Sequence, residues 1–402
     1  MKTITDQTKV EHLLTRSVSA VYPKEDFLRA KLMSGERLRL YVGFDPTAPF
    51  LHIGHAMQLR KLREFQDLGH EVIMLIGSFT AMIGDPTDKM ATRKQLTAKE
   101  VMANAATYKK QASKIVDFTG KNPVKIMFNH KWLRSMNFGE VMDLASHFTV
   151  QQMSERDMFA KRLADGKPVY LHEFMYPLMQ AYDSVAMDVD GELGGSDQTF
   201  NMLAGRTLMK EINGKEKFVL TLKLLTNDEG KKMSKSEGGF IALTDAPEEM
   251  FGKVMAMDDS MILPYFELVT DVSLADVAGM KIALEQGINP RDLKVRLATT
   301  VVTMFHSAKA AEAAAKGFDA QFRDHQVPTD IPKLSVGKET GIIDVLVESG
   351  LAASRGEARR QIEQGGVKID GVVVTDINLK VVGTKDGVLV QKGKRFFVKL
   401  VL

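Results

Sequence analysis

Cysteine is missing altogether from these 402 residues, which removes disulfides, thiolate metal centres and cysteine nucleophiles from consideration. Nothing approaches the roughly 18 uninterrupted apolar residues that a membrane-spanning helix requires. Residues 1–20 mix charged and apolar side chains without an apolar centre, so no secretory leader is expected there. A reducing cytoplasm suits such a chain. Net charge is also small, +3, yet unevenly placed: residues 337–402 hold 11 Lys+Arg against 8 Asp+Glu, and everything before them is formally neutral. A basic C-terminal end suits a polyanionic partner, although chance asymmetry on a solvated surface gives the same count. The 24 methionines read as filler for irregular gaps in a core.

The length implies two or three domains. The first half alternates β-rich runs with helical patterns, as an α/β fold with a parallel sheet does. Strands are expected at Arg39–Phe44, Glu71–Gly77, Val124–Phe128 and Lys217–Leu222. Helices are expected at Ile53–Leu68, Thr97–Phe118, Leu171–Asp183 and Asp197–Asn213. The strand-to-helix junctions at 44–53 and 77–97 lie where open α/β sheets hold ligands. From Ala246 to Phe322 the pattern is almost wholly helical. Residues 323–336, with Pro328 and Pro332, read as a linker. A small unit of short helices and β-rich segments, Val367–Ile377 and Val381–Leu402, follows it.

Two motifs carry chemistry. Between a strand and a helix stands Pro49-Phe50-Leu51-His52-Ile53-Gly54-His55. Gly54, lacking a Cβ, lets a base or ribose approach the backbone. His52 and His55 sit in the first helical turn, where free N–H groups and the dipole favour phosphate. Two surface histidines at a helix start are the plain alternative. The second motif, Lys232-Met233-Ser234-Lys235-Ser236, lies on a glycine-flanked loop. Its two lysines suit a mobile clamp on a triphosphate; taken alone, it reads equally as a solvated basic loop.

Together, in this order, the two motifs resemble the class I aminoacyl-tRNA synthetases. Further segments narrow the resemblance to the tyrosyl family: Tyr41-Val42-Gly43-Phe44-Asp45-Pro46-Thr47-Ala48, Ile83-Gly84-Asp85-Pro86, Tyr176 through Asp183, and Gly194-Gly195-Ser196-Asp197-Gln198. The tail, from Ser349 to Arg360 and from Gly365 to Gly371, is similar to the small RNA-binding module that ends bacterial members. Ser354 and Glu357 make a capping-box pattern. Arg355 and Arg359 then share a helix face beside Arg360 while Ala358 and Ile362 turn inward, a basic face suited to an RNA backbone or an ordinary salt-bridged helix.

The resemblance implies a Rossmann-like catalytic domain over 1–240, with a dimer-forming insertion near 130–165. It further implies a helical domain at 245–322, the linker and an RNA-binding domain at 337–402. It implies ATP with Mg²⁺, L-tyrosine and tRNA(Tyr) as partners, and a homodimer. Thr47, His52, Lys232 and Lys235 would hold the departing pyrophosphate, and His55 the nucleotide. Tyr41 and Asp183 would read the phenol, and Asp85, Tyr176 and Gln180 the ammonium. Gly43, Gly54, Gly195 and Asp197 would serve ATP, with Asp45 and Gln198 lining the cleft. Lys89 and Arg93 would assist with substrates or the tRNA end. No protein ligand set for a metal is expected, because Mg²⁺ keeps most of its waters.

Glu192 departs from the pattern, since some members carry glutamine there, and it shifts the polarity beside the amino-acid pocket. Rival readings are a tryptophanyl enzyme, a different nucleotidyltransferase and an RNA-binding protein that has lost catalysis. Tyr41 with Asp183 favours a phenol over an indole, and every signature residue is present.

Overall fold

In a computed structural model of the protein, residues 2–85, 96–226, 240–322, 331–336, 339–393 and 396–402 are described. Lys89, Arg93, Lys232 and Lys235 lie outside them. The chain forms two compact units, Met1–Ala311 and Glu312–Leu402.

The first unit is built on six strands: β1 (Val18–Tyr22), β2 (Arg39–Phe44), β3 (Glu71–Ile76), β4 (Lys125–Phe128), β5 (Gly191–Gly195) and β6 (Phe218–Leu222). Their order is β1-β6-β5-β2-β3-β4. β2 to β6 run parallel, and β1 closes the edge antiparallel to β6. β3 is buried at five of its six positions, which explains its nearly continuous apolar run. The order reverses between β2 and β5, so the crevice beyond their C-terminal ends is the switch point where such sheets bind ligands.

β5 escapes a reading by propensity because three of its five residues are glycine, yet every position is buried. The reason is packing: a Cβ on Gly191 would stand 2.0 Å from the Phe218 ring. The helix Ile53–Asp67 carries the β2-to-β3 crossover and buries Leu59, Leu62 and Phe65.

Where one helix is expected over Thr97–Phe118, two occur, Ala98–Ala105 and Tyr108–Ala112. The break turns three side chains onto the segment before the first signature histidine. Tyr108 donates to the Ala48 carbonyl at 2.8 Å and Thr107 to that of Pro49 at 2.8 Å. Gln111 accepts from the Leu51 N–H at 2.7 Å.

The helices beyond Ala246 do not part from the sheet as expected. Up to Ala311 they belong to the same compact unit. Buried Arg16, for example, donates to the carbonyls of Phe266 and Thr270, and Arg60 pairs with Asp271.

The second unit holds a five-stranded sheet. Its strands are β7 (Lys333–Ser335), β9 (Val367–Ile369), β10 (Val372–Val373), β12 (Val388–Lys392) and β13 (Phe396–Val401), in the order β10-β9-β12-β13-β7. A separate ladder joins β8 (Thr340–Gly341) and β11 (Lys380–Val381). β7 pairs parallel with β13, so the sheet begins inside the segment expected to be linker. Helices Ile342–Glu348 and Arg355–Glu363 pack Ile342, Leu346, Ala358 and Ile362 against Val367, Val390 and Leu400.

Candidate active site

His52 is the N-cap of the helix Ile53–Asp67, and the two signature histidines cap it reciprocally. His52 Nδ1 accepts the Gly54 N–H at 3.1 Å, and His55 Nδ1 accepts the His52 N–H at 3.1 Å. The rings stack with centroids 3.8 Å apart. Each neutral ring therefore carries its proton on Nε2, as a donor. A Cβ on Gly54 would stand 3.0 Å from the His52 ring, so glycine is needed by the cap itself. Backbone bonds tie this segment to the stretch that begins at Phe240: Ile53 N–H to Ile241 at 3.0 Å and Leu243 N–H to Leu51 at 2.8 Å. Phe50 stacks on Phe240 at 5.3 Å. The chain that follows the lysine motif is thus fastened to the histidine motif from Phe240 onward.

Tyr41 and Asp183 lie buried on β2 and the helix Leu171–Met187. Asp183 is 2 % exposed. Its Oδ1 accepts from Trp132 Nε1 at 2.7 Å and its Oδ2 from Asn129 Nδ2 at 3.2 Å. Burial pushes its carboxyl well above the usual range, and the bonds from Trp132 and Asn129 oppose that rise. The Tyr41 hydroxyl lies 3.0 Å from Ser184 Oγ, and burial raises the Tyr41 phenol. Both residues have hydrogen-bond partners within the protein.

Gln180, Asp85 and Gln198 are joined through side-chain hydrogen bonds that include Asn201, and Tyr176 lies on Asp45. Asp85 Oδ1 accepts from Arg156 at 3.1 Å and Oδ2 from Gln198 Nε2 at 2.6 Å. Gln180 donates to Glu192 Oε1 at 3.0 Å. Tyr176, its phenol raised by burial, donates to Asp45 Oδ2 at 2.9 Å, and Thr80 donates to Asp45 Oδ1 at 2.7 Å. Gly77 makes this possible, since a Cβ there would fall 1.8 Å from Asp45 Oδ1. Thr47 follows in the same loop, its N–H on the Asp45 carbonyl at 2.8 Å. At the end of β5, a Cβ on Gly195 would meet Asp197 Oδ1 at 2.4 Å, whereas one on Gly43 meets nothing within 4 Å. Gly195 thus accommodates a neighbouring carboxylate, and Gly43 leaves open space beside the cleft.

In the second unit, Ser354 caps the Arg355–Glu363 helix through the Glu357 N–H at 3.2 Å. Glu357 departs from a true box by accepting from the Ala353 N–H, at 2.9 Å, and from Lys392, at 3.1 Å. Ala358 and Ile362 are buried. Arg359 and Arg360 are exposed, while exposed Arg355 is engaged by Asp344.

Residues 33–323 match the family described as tRNA synthetases class I (W and Y), and residues 341–386 match the S4 domain family. A tyrosine–tRNA ligase of Moorella thermoacetica is 45 % identical over 96 % of this chain and 94 % of its own length. One from Bordetella pertussis is 46 % identical over 92 % and 90 %. The chain belongs to the tyrosyl family of class I tRNA synthetases. Among solved structures of that family, the C-terminally truncated mitochondrial tyrosyl-tRNA synthetase of Coccidioides posadasii aligns with a TM-score of 0.62. It is 26 % identical, over 78 % of this chain and 92 % of that one.

Membership does not by itself single out several residues that the geometry adds. Trp132 and Asn129 hold Asp183, Arg156 sits on Asp85, and Asn201 bridges two glutamines. Lys217 pairs with Glu192, so the glutamate expected to shift the polarity beside the pocket comes with its own counter-charge. The sequence reading of the site includes none of Trp132, Asn129, Arg156, Asn201 and Lys217; the signal that could have found Trp132 is that it is the sole tryptophan.

Proposed function

We propose that the chain activates L-tyrosine with ATP, giving tyrosyl-adenylate and pyrophosphate, and then transfers tyrosine to the 3′ end of tRNA(Tyr). The observation that carries this reading is Asp183, a carboxylate buried on the helix beside Tyr41 and already oriented by two donors. A phenol can donate to that carboxylate and accept from Tyr41. Phenylalanine would bury Asp183 and the Tyr41 hydroxyl without the further bonds that a phenol makes to them, which is the kind of penalty that gives strong discrimination; the tyrosyl enzyme is the standard worked example.

The tyrosine carboxylate attacks the α-phosphorus of ATP, and the bond to the β-phosphate oxygen breaks. A ribose hydroxyl of the tRNA end then attacks the tyrosyl carbonyl and AMP leaves. No enzyme nucleophile is required, so rate comes from positioning and from charge stabilisation. The Nε2–H donors of His52 and His55 suit the phosphates, and each well-aimed donor contributes about 3 kcal/mol in the transition state. Thr47, Lys232 and Lys235 join them in holding the pyrophosphate, Gly43, Gly195 and Asp197 support the nucleoside, and Asp85, Tyr176 and Gln180 take the ammonium. ATP would enter as its magnesium complex, the metal supplying charge neutralisation on the triphosphate. Among the described residues, no group of three or more His, Asp or Glu is placed to hold it alone.

Arg359 and Arg360 on the S4 unit supply the basic face for tRNA. Homodimerisation through the insertion is supported by Phe138 (80 % exposed), Met142 (55 %), Val150 (72 %) and Leu163 (52 %). Exposed apolar residues clustered in one segment mark an interface. No helix among the described residues is long and apolar enough to cross a membrane, and a cytoplasmic setting fits the lack of cysteine.

The test is ATP–pyrophosphate exchange with tyrosine, phenylalanine and tryptophan in parallel, followed by charging of tRNA. Exchange with tyrosine alone is expected. Exchange with tryptophan instead would reassign the pocket, and no exchange with any would leave the RNA-binding reading.

A further inference from the structure

We propose that the buried Lys217–Glu192 ion pair fixes which way the amides of the pocket face, and is thereby a positioning device for the tyrosine ammonium site. The proposal rests on the tyrosine-activating reading given above.

Lys217 is 0 % and Glu192 2 % exposed. An ion pair this deep is costly to desolvate and is weak evidence of stabilisation, so its presence calls for another reason. Space has been made for it inside a helix: a Cβ on Gly205 would fall 2.7 Å from Lys217 Nζ and 3.0 Å from Ser184 Oγ. Lys217 engages Glu192 Oε2, leaving Oε1 to take the Gln180 side-chain N–H at 3.0 Å. A carboxylate paired in this way only accepts. Gln180 must therefore turn its nitrogen to Glu192, and its Oε1 points the other way, toward Asn201.

The consequence passes along a chain of amides. Asn201 Nδ2 donates to Gln180 Oε1 at 3.0 Å and to Gln198 Oε1 at 2.9 Å. Gln198 Nε2 then donates to Asp85 Oδ2 at 2.6 Å. Asp85 is itself paired with buried Arg156. An anion at each end admits one arrangement only: both glutamines turn nitrogen outward to the anions and oxygen toward Asn201, which gives both of its N–H bonds. Asn201 Oδ1 is left buried without a partner. That orphan normally costs a good fraction of a hydrogen bond, so the arrangement is imposed on Asn201 from the ends. With Gln180 Oε1 fixed as an acceptor, an ammonium has a lone pair to meet without a prior amide flip. Preorganisation of this kind raises affinity by removing a reorganisation cost.

The same Lys217 ammonium donates to Ser184 Oγ at 2.8 Å, and Ser184 lies 3.0 Å from the Tyr41 hydroxyl. One buried cation is thus linked to the residues at both ends of the amino acid.

The experiment compares Glu192→Gln with the double variant Glu192→Gln/Lys217→Met. In the single variant, the new amide must give its oxygen to the Lys217 ammonium and its nitrogen then faces the Gln180 nitrogen, donor against donor. Gln180 flips and the relay breaks. KM for tyrosine should rise about ten- to a hundredfold, the effect of one lost bond to a charged group. That rise should far exceed any fall in kcat, with KM for ATP unmoved. Once Lys217→Met removes the ammonium, the new amide is free to offer its oxygen to Gln180, so the double variant should recover most of the tyrosine affinity. Thermal melting checks folding, and Asn201→Ala, which removes both central donors, should show the same selective rise if Glu192→Gln does not fold. Tyrosine KM within twofold of wild type in the folded variants, or a double variant no better than the single, overturns the relay. Failure of the wild-type protein to exchange pyrophosphate with tyrosine would instead overturn the functional reading on which the relay rests.

Discussion

Trp132→Phe removes one hydrogen atom of consequence, the Nε1–H that Asp183 Oδ1 accepts at 2.7 Å. What remains on the carboxylate is the longer bond from Asn129, 3.2 Å. A hydrogen bond to a charged group contributes roughly 1.5–3 kcal/mol, and about 1.4 kcal/mol corresponds to one pKa unit. Burial already raises the Asp183 carboxyl, with the Trp132 bond as the largest opposing effect. The substitution should therefore lift it further. Tyrosine needs the ionised form as acceptor for its phenol, so binding is lost as pH falls through this pKa. The variant should lose it at a higher pH than wild type, with KM for tyrosine rising about tenfold per pH unit below the midpoint. The assay is KM for tyrosine and for ATP in pyrophosphate exchange as a function of pH. An unchanged tyrosine profile in a variant that melts like wild type would refute the claim that Trp132 keeps Asp183 ionised.

Three further outcomes are expected. Gly77→Ala places a Cβ 1.8 Å from Asp45 Oδ1 and 2.5 Å from Thr80 Oγ1. Displacing Asp45 should lower kcat/KM for tyrosine by at least about tenfold, and wild-type kinetics would show that Asp45 can move at no cost. His70 is buried, its Nδ1 accepts the Leu38 N–H at 3.2 Å, and burial lowers its pKa to about 4. The unfolded chain binds that proton near pH 6.5 and the folded one only near 4, so stability present above 6.5 is lost as pH falls toward 4. The loss is roughly 3 kcal/mol, and His70→Asn should show a flatter urea-midpoint profile over that window than wild type. Arg359→Ala should weaken tRNA binding, reduce the slope of log K against log salt by about one and leave tyrosine-dependent exchange unaltered; an unchanged slope would place Arg359 off the RNA face.

What the sequence made legible were features carried by local pattern. β2 and β3 declare themselves as apolar runs, the helix from Ile53 by its spacing, and Ala358 with Ile362 by a capping residue four positions earlier. β5 was hidden because its glycines answer to packing, Gly191 to the Phe218 ring, Gly194 to Met202 and Gly195 to Asp197 and Leu224, and the Phe218 ring lies outside any local window. The break at Ala106–Thr107 was hidden for a related reason: helix propensity there is good, and the bonds from Thr107, Tyr108 and Gln111 to residues 48–51 override it. Lys333–Ser335 read as linker because its partner is the last strand, more than sixty residues away.

Glu192 shows where such reading stops. In the sequence it is a glutamate where some members carry glutamine, and the expectation is a shifted polarity beside the amino-acid pocket. In the folded protein its charge is taken up by Lys217, twenty-five residues on, and Asp85 is likewise held by Arg156. Each carboxylate that ends the amide relay thus already has a buried cation. The attraction for an ammonium is then set less by net charge than by which lone pairs are aimed into the site. Charge-neutral anchoring of that kind lets the pocket hold its acceptors fixed without drawing in every passing cation. It also explains why a substitution that changes no formal volume, Glu to Gln at 192, should be felt at the ammonium end of the substrate while its reversal lies at 217.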